Sequence, residues 1–225
     1  MNPASSSGPT SPSIASIAPQ ATPLAASPAS RQLVLGSTSP YRRELLGRLR
    51  VPFDVVSPDV DETPRDGETP ALLATRLALA KAHAVARLFP DAVVIGSDQV
   101  ADFHGQPLGK PGDHEKATAQ LRLMRGHTVV FQTAVAVVCL ATGFEAKDLA
   151  AVRVKFRTLD DVEIENYLRT EQPYDCAGSA KSEGLGITLL ESIDSDDPTA
   201  LVGLPLIRTA RMIRAAGVTL LGHPS

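Results

Sequence analysis

The stretch LVLGSTSPYRRELL, residues 33–46, contains the signal for a buried strand directly followed by the signal for a helix. Its opening apolar run predicts the strand, and Ser39 before Pro40 is typical of a helix start. The first turn of that helix carries Arg42 and Arg43, where the helix dipole disfavours each cation by about 0.3–1 kcal/mol. A bound anion would offset this repulsion, although a surface turn with solvated arginines would explain the same residues.

The turn between the predicted strand and helix is built from small and hydroxylated residues. Gly36, Ser37 and Ser39 leave free backbone N–H groups at a helix N-terminus, where phosphate oxygens bind readily. The turn lacks the GxxxxGK[ST] pattern of the P-loop. Ser37 and Arg42 are therefore candidate phosphate ligands of a different kind of site.

Outward from this stretch, strand and helix signals alternate, which indicates an α/β fold with helices on the faces of a β-sheet. Two long apolar segments flank residues 141–143 and predict a hairpin, so we expect a mixed sheet. The predicted strands are residues 33–37, 53–57, 92–97, 128–140 and 144–157. The predicted helices are residues 40–50, 70–88, 113–124, 160–170 and 204–216.

Composition limits the classes of function. The chain has 225 residues, 43% of them hydrophobic and 21% charged, which is enough for one globular domain or two small lobes. The net charge of -3 argues against a non-specific nucleic-acid binder, so any anion site must be a local cluster. Two cysteines are too few for a disulfide framework or a zinc site. We expect a reducing, cytoplasmic setting.

Residues 1–30 differ from the rest of the chain. They contain no charged side chain and consist mainly of Ala, Ser, Pro and Thr, so they predict a disordered tail ahead of a folded domain at residues 31–225. Proline interrupts each short apolar run in this segment, which argues against a signal peptide. No later segment reaches the roughly 18 apolar residues that a membrane span needs, and we expect no membrane partner.

Carboxylates follow two of the predicted strands. Asp59, Asp61 and Glu62 come after one strand, and the apolar run of another stops at Asp98. Carboxylates that leave neighbouring strand ends can converge on one divalent cation, and hard oxygen ligands suit Mg²⁺ or Mn²⁺. Acids in loops are more often merely solvated, but Asp98 is harder to dismiss because ligand sites form at the carboxyl ends of strands.

Three lysines complete the set of candidate site residues. Lys81 lies in an otherwise apolar helical stretch, Lys110 in LGKPG, and Lys181 in CAGSAKSEG. Each has an ordinary explanation, such as a solvated head group on a packed stem. Together, cations from separate segments and acids from two others predict a site for a polyphosphate held with a metal ion. The histidines show no ligand spacing, and Cys176 has no evident base.

Seven motifs resemble one family in order and spacing. LVLGSTSPYRRELL, DVDETP, IGSDQV, GKP, FRTL, CAGSAKSEG and DPTALVGLPL cover residues 33–207 almost end to end. They resemble the Maf family of nucleotide pyrophosphatases. Gln99 after Asp98, together with the KSEG motif, resembles the subgroup that hydrolyses 7-methyl-GTP, whereas the dTTP and UTP subgroup has Thr in place of that Gln.

The resemblance implies a Maf/ITPase-like α/β fold, in which helices flank a mixed β-sheet. It also implies hydrolysis of a nucleoside triphosphate to the monophosphate and diphosphate, a divalent cation, a cytoplasmic location and a homodimer. Asp98 matches the family's proton acceptor. Three positions match those that separate the substrate subgroups: Tyr41, Gln99 and Glu183. Five match further site positions: Ser37, Arg42, Glu62, Lys81 and Lys110.

We therefore expect hydrolysis of 7-methyl-GTP, which would remove a modified nucleotide from the pool. Asp98 either removes a proton from the attacking water or binds the metal, with Glu62 as the next metal ligand. Glu183 can accept both hydrogen bonds of the guanine edge, and Tyr41 can stack on the cationic base. Two alternatives remain: a dTTP and UTP pyrophosphatase, and a nucleotide-binding regulator of cell division with little turnover.

Overall fold

The computed structural model describes Met1 and residues 31–221. Apart from Met1, the tail predicted at residues 1–30 lies outside the described residues, as do residues 222–225 of the predicted domain. The strands are β1 (Leu33–Gly36), β2 (Asp54–Val56), β3 (Val93–Phe103), β4 (Gln106–Leu108), β5 (Thr128–Cys139), β6 (Phe144–Phe156) and β7 (Leu190–Asp194). The helices are α1 (Pro40–Gly47), α2 (Pro70–Ala86), α3 (His114–Met124), α4 (Asp161–Glu171) and α5 (Leu206–Ala215).

The strands form one sheet in the order β2-β1-β3-β5-β6-β7, and β4 pairs with the far end of β3. β1 is parallel to both β2 and β3, whereas the remaining pairs are antiparallel. The predicted hairpin is β5–β6, which turns through Leu140–Thr142 and Gly143 in the left-handed region. The predictions of an α/β fold, a mixed sheet and this hairpin are confirmed.

The strand that carries Asp98 is longer than predicted. The sequence places Asp98 where its strand ends, and this is wrong, because β3 continues to Phe103. β5 pairs with it along this whole length, as far as Asp102 opposite Val130, and β4 then closes a second hairpin. Asp98 nevertheless lies just beyond the end of β1, whose last residue pairs with Gly96. β4 and β7 were not predicted because neither QPL nor LESID contains a continuous apolar run.

Helices cover both faces of the sheet. Side chains alternate along β5, so that Ala134 and Ala136 pack against α2 while Val135 and Val137 face the opposite side. On that opposite side, one apolar cluster joins β1, β3 and β5 to α1 and α5. A second cluster joins β5 and β6 to α3 and α4. The sheet is therefore the middle layer of three.

α2 lies directly on β3 because Gly96 has no side chain. A Cβ atom at Gly96 would stand 2.2 Å from the carbonyl oxygen of Ala78 and 2.5 Å from the amide nitrogen of Ala82. Backbone atoms cannot yield to such contacts, so a larger residue would push the helix off the sheet. The close approach brings Lys81 of the helix next to Asp98 of the strand.

α1 begins as the sequence predicts. Ser39 is the N-cap, its hydroxyl accepts a hydrogen bond from the Arg42 N–H at 3.4 Å, and Pro40 opens the helix. The first turn contains no acidic residue, so the unfavourable placement of the arginines is present in the structure. The helix ends at Gly47, earlier than predicted, and the chain then turns through Arg50, whose φ is 55°.

Candidate active site

A cavity of about 520 Å³ opens beside β3, just beyond the end of β1. Its volume lies in the range of roughly 300–1,000 Å³ that is typical of small-molecule sites. Because β1 stops while β3 continues, the cavity reaches both faces of β3. Asp98 faces α2 and Gln99 faces the opposite side, yet both side chains line the cavity.

The cavity collects residues from segments that are far apart in the sequence. Among the site residues predicted from the sequence, the following line it: Ser37, Tyr41, Arg42, Glu62, Lys81, Asp98, Gln99, Lys110 and Glu183. The exception is Lys181, which is not among the lining residues. The structure thus brings the predicted set, apart from Lys181, together around one cavity.

The turn after β1 fixes Arg42 in the cavity wall. Its Nε donates to the carbonyl oxygen of Gly203 at 2.9 Å, and its Nη1 donates to the Ser37 hydroxyl at 3.4 Å. That hydroxyl also accepts a bond from the N–H of Ser39 at 3.2 Å. Burial lowers the pKa of Arg42, and the nearby carboxylates of Asp98 and Glu62 oppose that shift. The Gly203 carbonyl and these carboxylates help to offset the unfavourable dipole.

Lys81 joins the two predicted metal ligands. Its Nζ lies 2.6 Å from Oε1 of Glu62 and 2.6 Å from Oδ1 of Asp98, and its side chain is only 7% exposed. A buried ammonium requires such partners, because an unpaired charge in this position would be strongly destabilising. The two carboxylates therefore converge on the same ammonium group.

The field in this part of the cavity is positive. Partial burial opposes ionisation of Glu62, but the hydrogen bond from Lys81 and the charges of Lys81, Lys110 and Arg42 outweigh it and lower the pKa of Glu62. Lys110 is exposed and makes no ion pair among the described residues. We call the following set the cationic cluster, because its three cations outnumber its two carboxylates: Arg42, Glu62, Lys81, Asp98 and Lys110.

A second, acidic group surrounds Tyr41. The Tyr41 hydroxyl donates to Oδ1 of Asp175 at 3.5 Å and lies 3.8 Å from the sulfur of Cys176. Burial, together with the nearby charges of Asp175 and Glu183, raises the pKa of Tyr41. We call this set the acidic group: Tyr41, Asp175, Cys176 and Glu183.

Cys176 is not an activated nucleophile. Burial raises the pKa of its thiol to about 12, opposed by the hydrogen bond to Tyr41 and reinforced by the charges of Asp175 and Glu183. The thiol is therefore protonated at neutral pH. This agrees with the absence of any base beside it in the sequence pattern.

Gln99 is held in one orientation. Its two Nε2–H groups are shared among three acceptors, the Thr133 hydroxyl at 2.9 Å and the carbonyl oxygens of Ala200 and Leu201 at 3.0 and 2.9 Å. Only the nitrogen of an amide can donate to carbonyl oxygens, so these partners place Oε1 on the other side of the group. Among the described residues Oε1 has no hydrogen-bond partner, which leaves it as an acceptor for a ligand.

Lys181 departs from the sequence-based prediction. Its Nζ forms an ion pair with Oε1 of Glu171 at 2.7 Å, on the side of α4, instead of entering the cavity. The reason is local: Glu171 ends α4 beside the segment that carries Lys181, and its carboxylate is 14% exposed. Sequence spacing could not reveal this partner.

Two parts of the site were missed from the sequence. Asp175 contacts Tyr41, and the Gly203 carbonyl holds Arg42. Asp175 adjoins the CAGSAKSEG motif, which was a usable signal. Gly203 lies within the DPTALVGLPL motif, but a main-chain carbonyl carries no side-chain signature, so the motif did not indicate its contact with Arg42.

Two carboxylates are available for a metal ion. Within the described residues there is no group of three or more His, Cys, Asp or Glu side chains placed to hold one. Glu62 and Asp98 each use one oxygen for Lys81, which leaves Oε2 and Oδ2 without a hydrogen-bond partner there. One or two carboxylates are the usual protein ligands of Mg²⁺ when substrate phosphates supply the others. This donor set therefore fits Mg²⁺ or Mn²⁺ bound together with a polyphosphate.

Comparison with known proteins gives consistent matches over nearly all described residues. Residues 32–216 match the family described as Maf-like protein. The chain is 79% identical over 196 residues to a 7-methyl-GTP pyrophosphatase of Polaromonas sp. strain JS666, covering 87% of this chain and 90% of the relative. It is 70% identical over 195 residues to a protein of the same name from Albidiferax ferrireducens, covering 87% and 98%. A third of that name, from Burkholderia pseudomallei, is 59% identical over 197 residues, covering 86% and 92%.

Among solved structures, the Staphylococcus aureus Ham1 protein aligns with 57% of this chain and 73% of its own length. The TM-score of that alignment is 0.42 and the sequence identity is 16%. No helix in the described part of the chain has both the length and the hydrophobicity to cross a membrane.

Proposed function

The chain belongs to the Maf family, and on that premise we propose that it is a nucleoside triphosphate pyrophosphatase that converts 7-methyl-GTP to 7-methyl-GMP and diphosphate. One observation carries the proposal: a single cavity contains both the cationic cluster and the acidic group around Tyr41. The first suits a triphosphate, and the second suits a positively charged base. The names of the similar proteins support the same substrate.

The bond broken is the phosphoanhydride between the α- and β-phosphates. Water supplies an oxygen to one phosphorus atom, the anhydride oxygen leaves with the other, and Asp98 accepts the proton of the water. The bond from Lys81 to Oδ1 fixes the orientation of Asp98 and leaves Oδ2 for this task. Without a metal ion, a protein that only binds a triphosphate would gain nothing from the carboxylate of Asp98 beyond balancing the charge of Lys81.

The cationic cluster stabilises charge on the phosphate oxygens. Arg42 is preorganised by its bonds to Gly203 and Ser37, so its remaining N–H groups can reach a ligand without reorganising the loop. Lys110 has no competing ion pair among the described residues and is free to move onto the phosphates. Such preorganised charges typically lower a barrier by several kcal/mol.

Hydrolysis should require Mg²⁺ or Mn²⁺, for which Oε2 of Glu62 and phosphate oxygens would be the ligands. Oδ2 of Asp98 would either accept the proton of the water or bind the cation, and not both. When bound, the cation neutralises phosphate charge and lowers the pKa of bound water. Titration of the protein with Mn²⁺ in the presence of 7-methyl-GMP and diphosphate tests this directly. Glu62→Gln should weaken Mn²⁺ binding, and unchanged binding would remove Glu62 from the metal site.

The acidic group supplies base specificity. Methylation at N7 makes guanine cationic, so stacking on Tyr41 gains a cation–π term of roughly 0.5–2 kcal/mol. Asp175 and Glu183 add negative charge around the ring. Glu183 can accept both donors of the guanine edge, and Oε1 of Gln99 offers a further acceptor. A pyrimidine lacks the matching pair of donors.

The test is release of diphosphate from a panel of nucleoside triphosphates with Mg²⁺ or Mn²⁺. Asp98→Asn should lower kcat by roughly 10²–10⁴-fold, the usual contribution of a general base. Asp102→Asn is the matched control on the same strand, because an Asn there can still accept the 2.7 Å bond from Gly105 N–H. It should retain turnover.

Two outcomes would replace the proposal. Binding of 7-methyl-GTP without diphosphate release under any divalent cation would favour the regulator of cell division. Equal hydrolysis of dTTP or UTP would keep the pyrophosphatase and reject the base specificity.

We also propose that the enzyme works in the cytoplasm as a homodimer. The two free cysteines suit a reducing compartment. The homodimer rests on the family resemblance, and sedimentation velocity of the purified protein tests it.

A further inference from the structure

The segment Lys181–Leu185 folds around the carboxylate of Glu171. One oxygen of Glu171 accepts a bond from Nζ of Lys181 at 2.7 Å, and the other accepts a bond from the N–H of Leu185 at 2.8 Å. Both ends of the segment are therefore fastened to the last residue of α4. Glu171 makes no contact with the cavity, so the proposed reaction does not use it directly.

The fastened segment is a tight turn with Glu183 near its tip. Gly184 N–H donates to the carbonyl oxygen of Lys181 at 3.1 Å and closes the turn. The N–H of Lys181 donates to the hydroxyl of Tyr167 at 3.0 Å, which ties the start of the turn to α4 a second time. Glu183 is thus carried by a backbone whose position α4 determines.

Two glycines allow this close packing. A Cβ atom at Gly184 would stand 2.8 Å from the Glu171 carboxylate. A Cβ atom at Gly186 would stand 2.5 Å from the carbonyl oxygen of Lys181. A larger residue at Gly184 would displace the Glu171 carboxylate, and one at Gly186 would clash with the Lys181 backbone and distort the turn itself. In the KSEG motif, Lys181 therefore anchors the turn, Ser182 links it to the acid Glu183, and Gly184 permits the close approach to Glu171.

We propose that Glu171 is a positioning residue for base recognition: through Lys181 and Leu185 it holds Glu183 at the acidic group of the cavity, and Lys181 anchors the turn rather than binding phosphate. The inference rests on the proposed function. Glu183 is exposed, and its side-chain hydrogen bond in the described structure is a long one from the Ser182 hydroxyl at 3.5 Å. Its placement therefore depends on the backbone that Glu171 holds.

The first experiment separates positioning from chemistry. Glu171→Gln keeps the size of the side chain and loses the ion pair, so KM for 7-methyl-GTP should rise roughly tenfold while kcat changes by less than about twofold. The preference for 7-methyl-GTP over dTTP should fall toward that of Glu183→Gln. Glu165→Gln, on the same helix but outside this contact, should behave like the wild type. A loss of kcat with unchanged KM and preference would overturn the proposal.

A double variant tests whether Glu171 acts through Glu183. Glu171→Gln combined with Glu183→Gln should be no worse than Glu183→Gln alone, because the contact to be positioned is already gone. Additive losses would show that Glu171 acts independently. Lys181→Met should reproduce the KM effect of Glu171→Gln. An equal loss of kcat for every triphosphate would instead make Lys181 a phosphate ligand.

Hydrogen exchange tests the same inference without any substrate. In Glu171→Gln and in Lys181→Met, peptides that span residues 181–187 should exchange faster than in the wild type, whereas peptides from β5 should not change. Unchanged exchange in both variants would overturn the proposal whatever the activity. Failure of the proposed function would be recognised by a different result. The wild type would then release no diphosphate from 7-methyl-GTP, while residues 181–187 would still exchange faster in the variants.

Discussion

Lys81 carries its charge at a position that is 6% exposed, on a helix whose other buried residues are apolar. Glu62 and Asp98 compensate that charge at 2.6 Å each, so the three side chains form one unit. Removal of any one member would leave a buried charge with fewer partners, which is far more unfavourable than loss of an exposed pair. Lys81 therefore contributes both to the stability of the fold and to the orientation of the two carboxylates that we expect to take part in hydrolysis.

Tyr41 allows a sharp test of base recognition. Tyr41→Ala removes the ring that we expect to stack on the cationic base, so the ratio of kcat/KM for 7-methyl-GTP over GTP should fall by roughly 2–30-fold. Tyr41→Phe is the matched control, because it keeps the ring and loses only the long contacts of the hydroxyl with Asp175 and Cys176. It should retain most of the preference. Equal losses for both nucleotides in Tyr41→Ala would show that the ring does not distinguish them.

The segment before α2 is tied to the helix that it precedes. Arg76 of α2 binds both oxygens of Glu68, at 2.6 and 2.8 Å, and donates to the carbonyl oxygen of Thr63 at 3.0 Å. Thr63 follows Glu62 directly in the chain, so the pair fixes the segment that brings Glu62 to Lys81. An ion pair outside the cavity thus shapes the cationic cluster.

The same pair predicts a pH-dependent contribution to stability. The hydrogen bonds from Arg76 outweigh desolvation and lower the pKa of Glu68 from 4.5 to about 2. A carboxyl whose pKa is lowered by folding stabilises the protein above its unfolded pKa, and this contribution is lost as the pH falls through the folded value. Glu68→Gln should therefore lower Tm at pH 7, and the difference from the wild type should shrink as the pH falls from 4.5 toward 2.

Thermal melting at several pH values measures this effect. Glu44→Gln is the control, since Glu44 forms an exposed pair with Arg48 on α1 and should change Tm little at any pH. A difference for Glu68→Gln that stays constant from pH 7 to pH 3 would contradict the assignment.

Across the whole molecule, the cavity joins parts of the fold that otherwise have separate cores. It is lined by the turn after β1, by α2, by β3 and by the segments around residues 175–183 and 201–203. The two apolar clusters on one face of the sheet hold different helices, α1 and α5 in one and α3 and α4 in the other. A ligand that contacts all of these segments should therefore stabilise the fold as a unit.

Ligand binding should raise Tm in a form that cannot turn over. For Asp98→Asn with 7-methyl-GTP at about 100 times Kd, the gain of roughly 2.7 kcal/mol corresponds to an upward shift of about 5–10 °C. dTTP at the same concentration is the control and should shift Tm less. An equal shift with dTTP would contradict the base specificity at the level of binding.

Local sequence alone indicated the family, the five α-helices and five of the seven strands in the described part of the chain. The cap at Ser39, the strands with apolar runs and the hairpin after Cys139 are all present in the structure, because each signal lies within one short stretch. All the site residues that we predict from the sequence, except Lys181, line the cavity. The ends of the strands and helices were predicted less accurately. β3, for example, is longer than predicted because pairing with β5 extends it.

The partners of the site residues were decided only by the tertiary structure. The motif CAGSAKSEG made Lys181 a candidate phosphate ligand, yet its ammonium forms an ion pair with Glu171. The acceptor face of Gln99 is set by main-chain carbonyls from residues 200 and 201, about a hundred residues away. Such contacts depend on which distant segments the sheet and helices bring together, and on backbone atoms that every residue shares. The sequence therefore names the groups that can do the chemistry, and packing decides which of them face the substrate and which hold the others in place.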